Sequence, residues 1–243
     1  MNDFHAAVVD LLFPSYCTVC SKNVSIKENY LCADCIEKLH NYDSQCEVCA
    51  STLIDDICHF CEGRAVFFDK NMSLFAYNDH LQKIIYGLKF EKKERLALFF
   101  GKGAWDFIVS DEDLMHLIDN VVVVPVPMHR RKLRKRGFNQ SELIAQELAK
   151  RGKLLMQKPL YVKRAQEAQK NMAYEDRFVN TIGQFAVKKR AQLKDKSILL
   201  VDDVFTTGAT VNECARVLKK DGAHRVFSLT MGRTIIKKLE NLR

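Results

Sequence analysis

No apolar run in these 243 residues is long enough to cross a membrane, because each is broken within a few residues. The first thirteen residues lack the basic stretch of an export signal, and Asp10 interrupts their apolar part. A cytoplasmic chain is therefore expected. Low-complexity tracts are also missing, and a single unit repeats, in the cysteines. Apolar side chains make up 47 % of the chain, which at this length is enough for one sizeable core plus a small appendage.

Eight of the nine cysteines form four C-x-x-C knuckles: Cys17/Cys20, Cys32/Cys35, Cys46/Cys49 and Cys58/Cys61. One such turn presents two sulfurs to one metal, so two knuckles close a tetrahedral structural zinc site. Four knuckles imply two Zn2+ ions. Disulfides are the competing use, but they belong to exported proteins, and regular pairing of knuckles favours metal. Consecutive pairing closes loops of 11 and 8 residues, whereas interleaved pairing remains open at this level. A segment this short has little core of its own, so each zinc would supply roughly 10 to 16 kcal/mol of its folding free energy. His59 is expected to be exposed rather than a ligand, and Cys214, isolated from the knuckles, a small core residue.

Charge divides the chain. Through Gly63 there are ten acidic and three basic residues, a balance of −7, so the remainder carries +15 toward the overall +8. Each zinc held by four thiolates would add about −2 to the acidic part. Nucleic acid demands Lys and Arg, so the cysteine-rich module reads as a protein-docking module or fold clamp. The positive charge is densest from Arg130 to Arg136, where Arg130, Arg131, Lys132, Arg134, Lys135 and Arg136 leave only Leu133 uncharged. This basic loop suits pyrophosphate, nucleic acid or both; a charge run can also be no more than a solvated face.

The run Ile198-Leu199-Leu200-Val201 has the length and branching of a strand buried on both faces, as in a parallel sheet. It delivers Asp202 and Asp203 to its carboxyl end. The small-residue loop Thr206, Thr207, Gly208, Ala209 and Thr210 then opens a helix from Val211 to Asp221, with Val211, Cys214, Ala215 and Leu218 at helical spacing. Unpaired N–H groups and the helix dipole favour a phosphate there. The two carboxylates are suited instead to accepting hydrogen bonds from ribose hydroxyls, with a hard cation such as Mg2+ screening nearby pyrophosphate. Phosphoribosyl pyrophosphate has that composition. A second strand, loop and helix runs from Val121 through the basic loop to Lys150, with Leu143, Ile144 and Leu148 on one face, and brings its anion-binding groups to the same sheet edge.

The stretch ILLVDDVFTTGAT matches the signature of the type I phosphoribosyltransferases. Together with the knuckles, Leu88-Lys89-Phe90, Val124-Pro125-Val126-Pro127 and Arg136-Gly137-Phe138-Asn139-Gln140, it makes the chain resemble the ComF family over nearly its whole length. The resemblance implies a type I phosphoribosyltransferase-like α/β fold, a mostly parallel twisted sheet flanked by helices, behind a small N-terminal zinc-ribbon domain. It implies a phosphoribosyl pyrophosphate site and a role in taking up single-stranded DNA during natural transformation. Implied partners are the ComFA translocase and other competence proteins, with recruitment to the inner face of the membrane through them. A further pattern, Arg164, Gln169, Arg177 and Asn180, corresponds to a mobile segment that closes over the ligand; Glu167 departs from the threonine common at its position.

Residues 1–63 are thus expected to form the double zinc-ribbon module, with an initial helix at Leu11-Leu12-Phe13, and residues 64–243 the phosphoribosyltransferase-like domain. Arg64–Phe68 and Met72–Tyr77 should form a hairpin, helices should carry Leu81, Ile84, Ile85 and Leu88 and then span about Arg95 to Val109, and Arg225–Met231 should be the last strand. Phe90, Phe99, Phe100 and Trp105 read as core more readily than as base-stacking platforms. If phosphoribosyl is transferred, positioning by the acids, phosphate anchoring and exclusion of water would carry the reaction, with Arg164, Arg177 or the basic cluster stabilising departing pyrophosphate. Asp202, Asp203, Arg164 and Arg177 are the catalytic candidates. No segment names an acceptor, so an active transferase of nucleotide metabolism stands as the alternative.

Overall fold

The computed structural model describes Leu12 and residues 14 to 234, apart from His59, Asp119 and the stretch 164 to 180. The initial helix, His59, Arg164, Gln169, Arg177 and Asn180 therefore fall wholly or largely outside the described residues. In chain order the elements are β1 (Ser15–Tyr16), β2 (Asn23–Val24), α1 (Ala33–Glu37), β3 (Lys70–Ala76), α2 (Asp79–Phe90), α3 (Leu96–Val109), α4 (Glu112–Leu117) and β4 (Val122–Pro125). They continue with α5 (Arg130–Arg136), α6 (Gln140–Gly152), β5 (Leu155–Met156), β6 (Leu160–Val162), β7 (Phe185–Val187), β8 (Ser197–Phe205), α7 (Ala209–Lys220) and β9 (Arg225–Arg233).

Five strands form the central sheet in the order β3-β9-β8-β4-β5, every neighbouring pair parallel. Parallel strands need helical crossovers, and those crossovers cover both faces. Strand alternation then divides the core in two. Leu199 and Val201 join Ile84, Leu88, Phe100, Ile144 and Leu148 on one face, while Ile198 and Leu200 join Val211, Cys214, Ala215 and Leu218 on the other. The chain leaves β4 toward β5 through α6 and leaves β8 toward β9 through α7, on opposite faces. The carboxyl ends of β4 and β8 thus flank a topological switch point, where an open α/β sheet leaves a crevice.

Each cysteine cluster packs into a different one of these cores. Cys17, Cys32, Cys35, Val24 and Leu31 bury with the α2–α3–α6 side, and Cys49 and Phe60 bury with the α7 side. The first cluster approaches α2 so closely that a Cβ on Gly87 would lie 2.5 Å from Thr18 Cγ2. Between the clusters, the chain runs along the sheet edge: Tyr42 N–H donates to Leu74 O at 2.9 Å, Ala76 N–H donates to His40 O at 3.0 Å, and Asn41 bridges Phe75 antiparallel. The edge strand β3 is thereby covered. The cysteine-rich segment acts as a clasp around the sheet rather than as a distant appendage.

Two expectations change. The hairpin from Arg64 to Tyr77 does not form; β3 lies parallel to β9 instead. Asn212 on α7 takes the bonds a partner strand would have made, accepting from Phe67 N–H at 2.7 Å and donating to Ala65 O at 2.9 Å. The basic loop is a helix, α5, begun by His129, whose Nδ1 accepts from Arg131 N–H at 3.2 Å, and followed by Gly137 at φ 93°. Arg, Lys and Leu are good helix formers, and Arg134, Lys135 and Arg136 stand in the last turn, where the dipole favours cations. The other expected helices and strands that fall among the described residues occur, with β8 extended to Phe205 and α7 begun two residues early, at Ala209.

Candidate functional site

A cavity of about 510 Å3 opens at the switch point between β4 and β8. Asp202 and Asp203 from β8, the segment Val126–His129, Arg131, Lys132 and Arg136 of α5, Asn139 to Ser141 at the start of α6, Lys89 of α2 and Thr210 of α7 all line it. Acids, cations and a helix start therefore face one space.

The acids point into different surroundings. Asp203, buried at 6 % exposure, accepts from Lys89 Nζ at 2.8 Å through Oδ1 and from Gln140 Nε2 at 2.5 Å through Oδ2. Gln140 Oε1 in turn accepts from Arg136 Nη1 at 2.5 Å. Asp202 Oδ1 accepts from Ser141 Oγ at 2.8 Å and from Asp203 N–H at 2.9 Å. Burial, and then the neighbouring Asp203 charge, push its carboxyl up to about 7. Asp203 is committed to an ion pair, while Asp202 has no cation in direct contact among the described residues.

The predicted phosphate loop is only partly at this cavity. Thr210 lines it, whereas Thr206 is exposed and Thr207, Gly208 and Ala209 are buried behind it. Of the basic cluster, Arg131, Lys132 and Arg136 line the cavity, and Arg130, Lys135 and Arg134 do not. Lys89, Gln140, Ser141 and Asn139 had no role assigned by spacing. Lys89, Asn139 and Gln140 do stand in the segments Leu88-Lys89-Phe90 and Arg136-Gly137-Phe138-Asn139-Gln140 that carry the family resemblance; by pattern alone Lys89 is a lone cation directly after the buried stripe residue Leu88, and Asn139-Gln140-Ser141 is the polar start of an amphipathic helix.

Gly208 shows why the loop is shaped as it is. It caps α7 at φ 66°, and a Cβ there would lie 2.5 Å from Phe205 Cε1 and 2.7 Å from Phe60 Cε2. Gly208→Ala should therefore lower unfolding stability by about 2 to 4 kcal/mol through overpacking and positive-φ strain, measured by denaturant titration. A wild-type midpoint would show that the loop is not held by these rings.

The cysteines resolve into two consecutive sets, Cys17/Cys20/Cys32/Cys35 and Cys46/Cys49/Cys58/Cys61, each with its four sulfurs within 4.8 Å of one another. Sulfurs at about 2.3 Å from a tetrahedral zinc stand about 3.8 Å apart. The contacts between knuckles are close to that: Cys20 to Cys32 at 3.7 Å, Cys46 to Cys61 at 3.9 Å and Cys49 to Cys58 at 3.4 Å. Burial, and then the adjoining thiols, raise Cys35 and Cys61, an obstacle to joint ionisation that a divalent cation removes. Arg233 supplies a second fit. This arginine is 1 % exposed, lies 4.1 Å from the Phe205 centroid, donates to Ser51 Oγ, and has its Nη2 3.7 Å from Cys49 Sγ. No carboxylate among the described residues pairs with it. Four thiolates around Zn2+ would provide the negative charge that this buried cation needs.

The double zinc ribbon domain family matches residues 8–63, and the phosphoribosyl transferase domain family matches residues 119–240. Competence protein F of Haemophilus influenzae is 26 % identical over 216 residues, 86 % of this chain and 93 % of that protein. DNA utilization protein YhgH of Salmonella typhimurium is 25 % identical over 228 residues, 93 % of this chain and all of that protein. Competence protein ComFC of Bacillus subtilis is 25 % identical over 221 residues, 90 % of this chain and 84 % of that protein. Among solved structures, a purine phosphoribosyltransferase from Pyrococcus horikoshii aligns with a TM-score of 0.36 at 15 % identity, over 60 % of this chain and 93 % of that one. No helix among the described residues is long and apolar enough to cross a membrane. With two four-cysteine sites that fit structural zinc ahead of it, and with similarity to competence proteins along most of its length, this chain belongs to the phosphoribosyl transferase domain family.

Proposed function

We propose that the protein handles incoming single-stranded DNA in natural transformation and binds phosphoribosyl pyrophosphate with Mg2+ at the switch-point cavity. The observation carrying this reading is the convergence on one 510 Å3 space of the Asp202–Asp203 pair with Arg131, Lys132 and Arg136. Carboxylates accept from ribose hydroxyls, and cations answer the pyrophosphate. Thr210 and the start of α7 would receive the 5′-phosphate, while Thr206 to Ala209 would hold that start in place. The cations of α5 that lie outside the cavity extend its positive face along the surface, where a DNA backbone would run. Two zinc ions would lock the ribbons, whose acidic surface suits ComFA or another competence protein as partner.

Calorimetric titration with phosphoribosyl pyrophosphate and Mg2+ tests the pocket, and absence of heat at any pH would reject it. For the strand, Arg131→Glu, Lys132→Glu and Arg134→Glu together should weaken binding of a labelled oligonucleotide by at least about a hundredfold at moderate salt and flatten its salt dependence. Unchanged affinity and slope would exclude α5 as the site.

A transferase is the second reading, favoured by an adjoining cleft of about 630 Å3 lined by Met128, Tyr161 and Lys163, which offers room for an acceptor. Pyrophosphate release dependent on one base or amine would establish it. No release across a broad panel would leave the sugar phosphate as a ligand only.

A further inference from the structure

We propose that Tyr86 and Phe90 form a base-stacking platform for single-stranded DNA at the rim of the cavity, with Arg136 as its shared edge. This rests on the strand-binding reading above and gives it residues that charge alone does not reveal. Helix α2 buries Leu81, Ile84, Ile85 and Leu88 and turns Gln82, Tyr86 and Phe90, spaced four apart, to the opposite side. Tyr86 is 54 % exposed and Phe90 61 %, although both are large rings on a helix with a complete buried stripe. Their centroids are 4.9 Å apart, with the ring planes inclined at 42°. Phe99 and Trp105, by contrast, are partly buried against the core, and Phe100 is fully buried.

The surroundings are cationic. Arg136 stands over Phe90 at 5.0 Å from the ring centroid, and among the described residues none of the six cations of α5 makes an ion pair. Lys83 and Tyr86 share a small cleft with Glu91, whose charge is met by Lys93 at 2.8 Å. Exposed π-faces beside unpaired cations suit a single strand, which presents bases and phosphates at alternate positions. Duplex DNA keeps its bases stacked and inaccessible. Arg136 also reaches the cavity acids through Gln140 and Asp203, and Asp203 is held by Lys89, the residue before Phe90. Platform and cavity thus share one set of contacts, so strand and sugar phosphate should alter each other's affinity.

Fluorescence anisotropy with labelled single-stranded oligonucleotides, on the zinc-loaded full chain, tests the platform. Both rings are exposed, so Tyr86→Ala with Phe90→Ala should keep the wild-type melting temperature. Strand affinity should fall about fivefold or more per ring, with the slope of log affinity against log salt unchanged, because no phosphate contact is removed. Tyr86→Trp with Phe90→Trp should restore affinity and show quenching of the new indoles on strand binding. If the alanine pair binds as wild type while charge reversal on α5 weakens binding, the platform is wrong and strand binding stands. If the wild-type protein binds no strand, both fall. Loss of affinity for AMP with none for the strand would make the rings a free-nucleotide site, and loss of a protein partner alone would make them a protein contact; either result overturns the proposal.

Discussion

Cys49→Ser should leave little or no cooperatively folded protein, a larger effect than any substitution in the cavity. Cys49 is fully buried; its carbonyl accepts from Asn71 Nδ2 at 3.2 Å, its sulfur lies 3.4 Å from Cys58, and that sulfur is 3.7 Å from Arg233 Nη2. A structural zinc contributes roughly 10 to 16 kcal/mol, which matches or exceeds the about 5 to 15 kcal/mol by which a whole domain is stable. The second ribbon cannot be shed independently, because Phe60, between two of its ligands, packs at 5.4 Å from Phe205 and 6.2 Å from Phe68 in the α7-side core. Loss of the site also strands the Arg233 guanidinium without an anion. Cys214→Ser is the matched control: it places a hydroxyl in an apolar site, costs about 1 to 3 kcal/mol, and should keep two zinc ions per chain. Zinc stoichiometry by elemental mass spectrometry and thermal melting by circular dichroism check both. A Cys49→Ser variant that melts cooperatively near the wild-type temperature would show that the ribbon is an appendage rather than a clasp.

That clasp marks the limit of what linear spacing reveals. Four C-x-x-C knuckles are legible because a metal site needs only local turns and a count of sulfurs. Burial of one ribbon on each side of the sheet is not, since it depends on Phe60, Thr18 and Gly87 meeting elements distant in sequence. Strands β4 and β8 were legible as continuous apolar runs, because a parallel strand buried on both faces has no polar alternation to confuse it. The segment from Arg64 to Tyr77 misled for the complementary reason: its pattern fits a local hairpin, while its actual partners, β9 and Asn212, lie more than a hundred residues away. In α5, dense like charge masks a good helix propensity, though His129 before the run and Gly137 after it are ordinary helix limits. At the site, the acid pair could be read directly, but Lys89 and Gln140 could not, because only the fold brings α2 and α6 to Asp203.

Replacing both acids, Asp202→Asn with Asp203→Asn, should abolish calorimetric binding of phosphoribosyl pyrophosphate while making the unliganded protein no less stable at Asp202. Each lost charged acceptor is worth about 1.5 to 3 kcal/mol, so affinity should fall by about a hundredfold to ten-thousandfold. Asp202 also fixes the direction of the pH dependence. Its carboxyl is raised to about 7 in the fold, against about 3.9 in an unfolded chain. Between those values the folded state holds the extra proton, so its contribution to stability is fully present below about pH 4 and is lost as pH rises through about 7. Asp202→Asn alone should remove that loss, so the variant should melt higher than the wild type at about pH 8 and show a flatter stability profile across this window. Ligand binding runs the other way, because ribose hydroxyls need the ionised acceptor: wild-type affinity should rise by up to about tenfold per pH unit below 7 and level off above it. Asp203→Asn should behave differently again, since it keeps an acceptor for Gln140 but leaves Lys89 without its partner. Affinity independent of pH across about 5.5 to 8.5, or heat undiminished in the double variant, would remove the acids from the binding site. Opposite slopes for stability and affinity, both centred on one residue, would instead identify Asp202 as a carboxylate the fold keeps strained for its ligand.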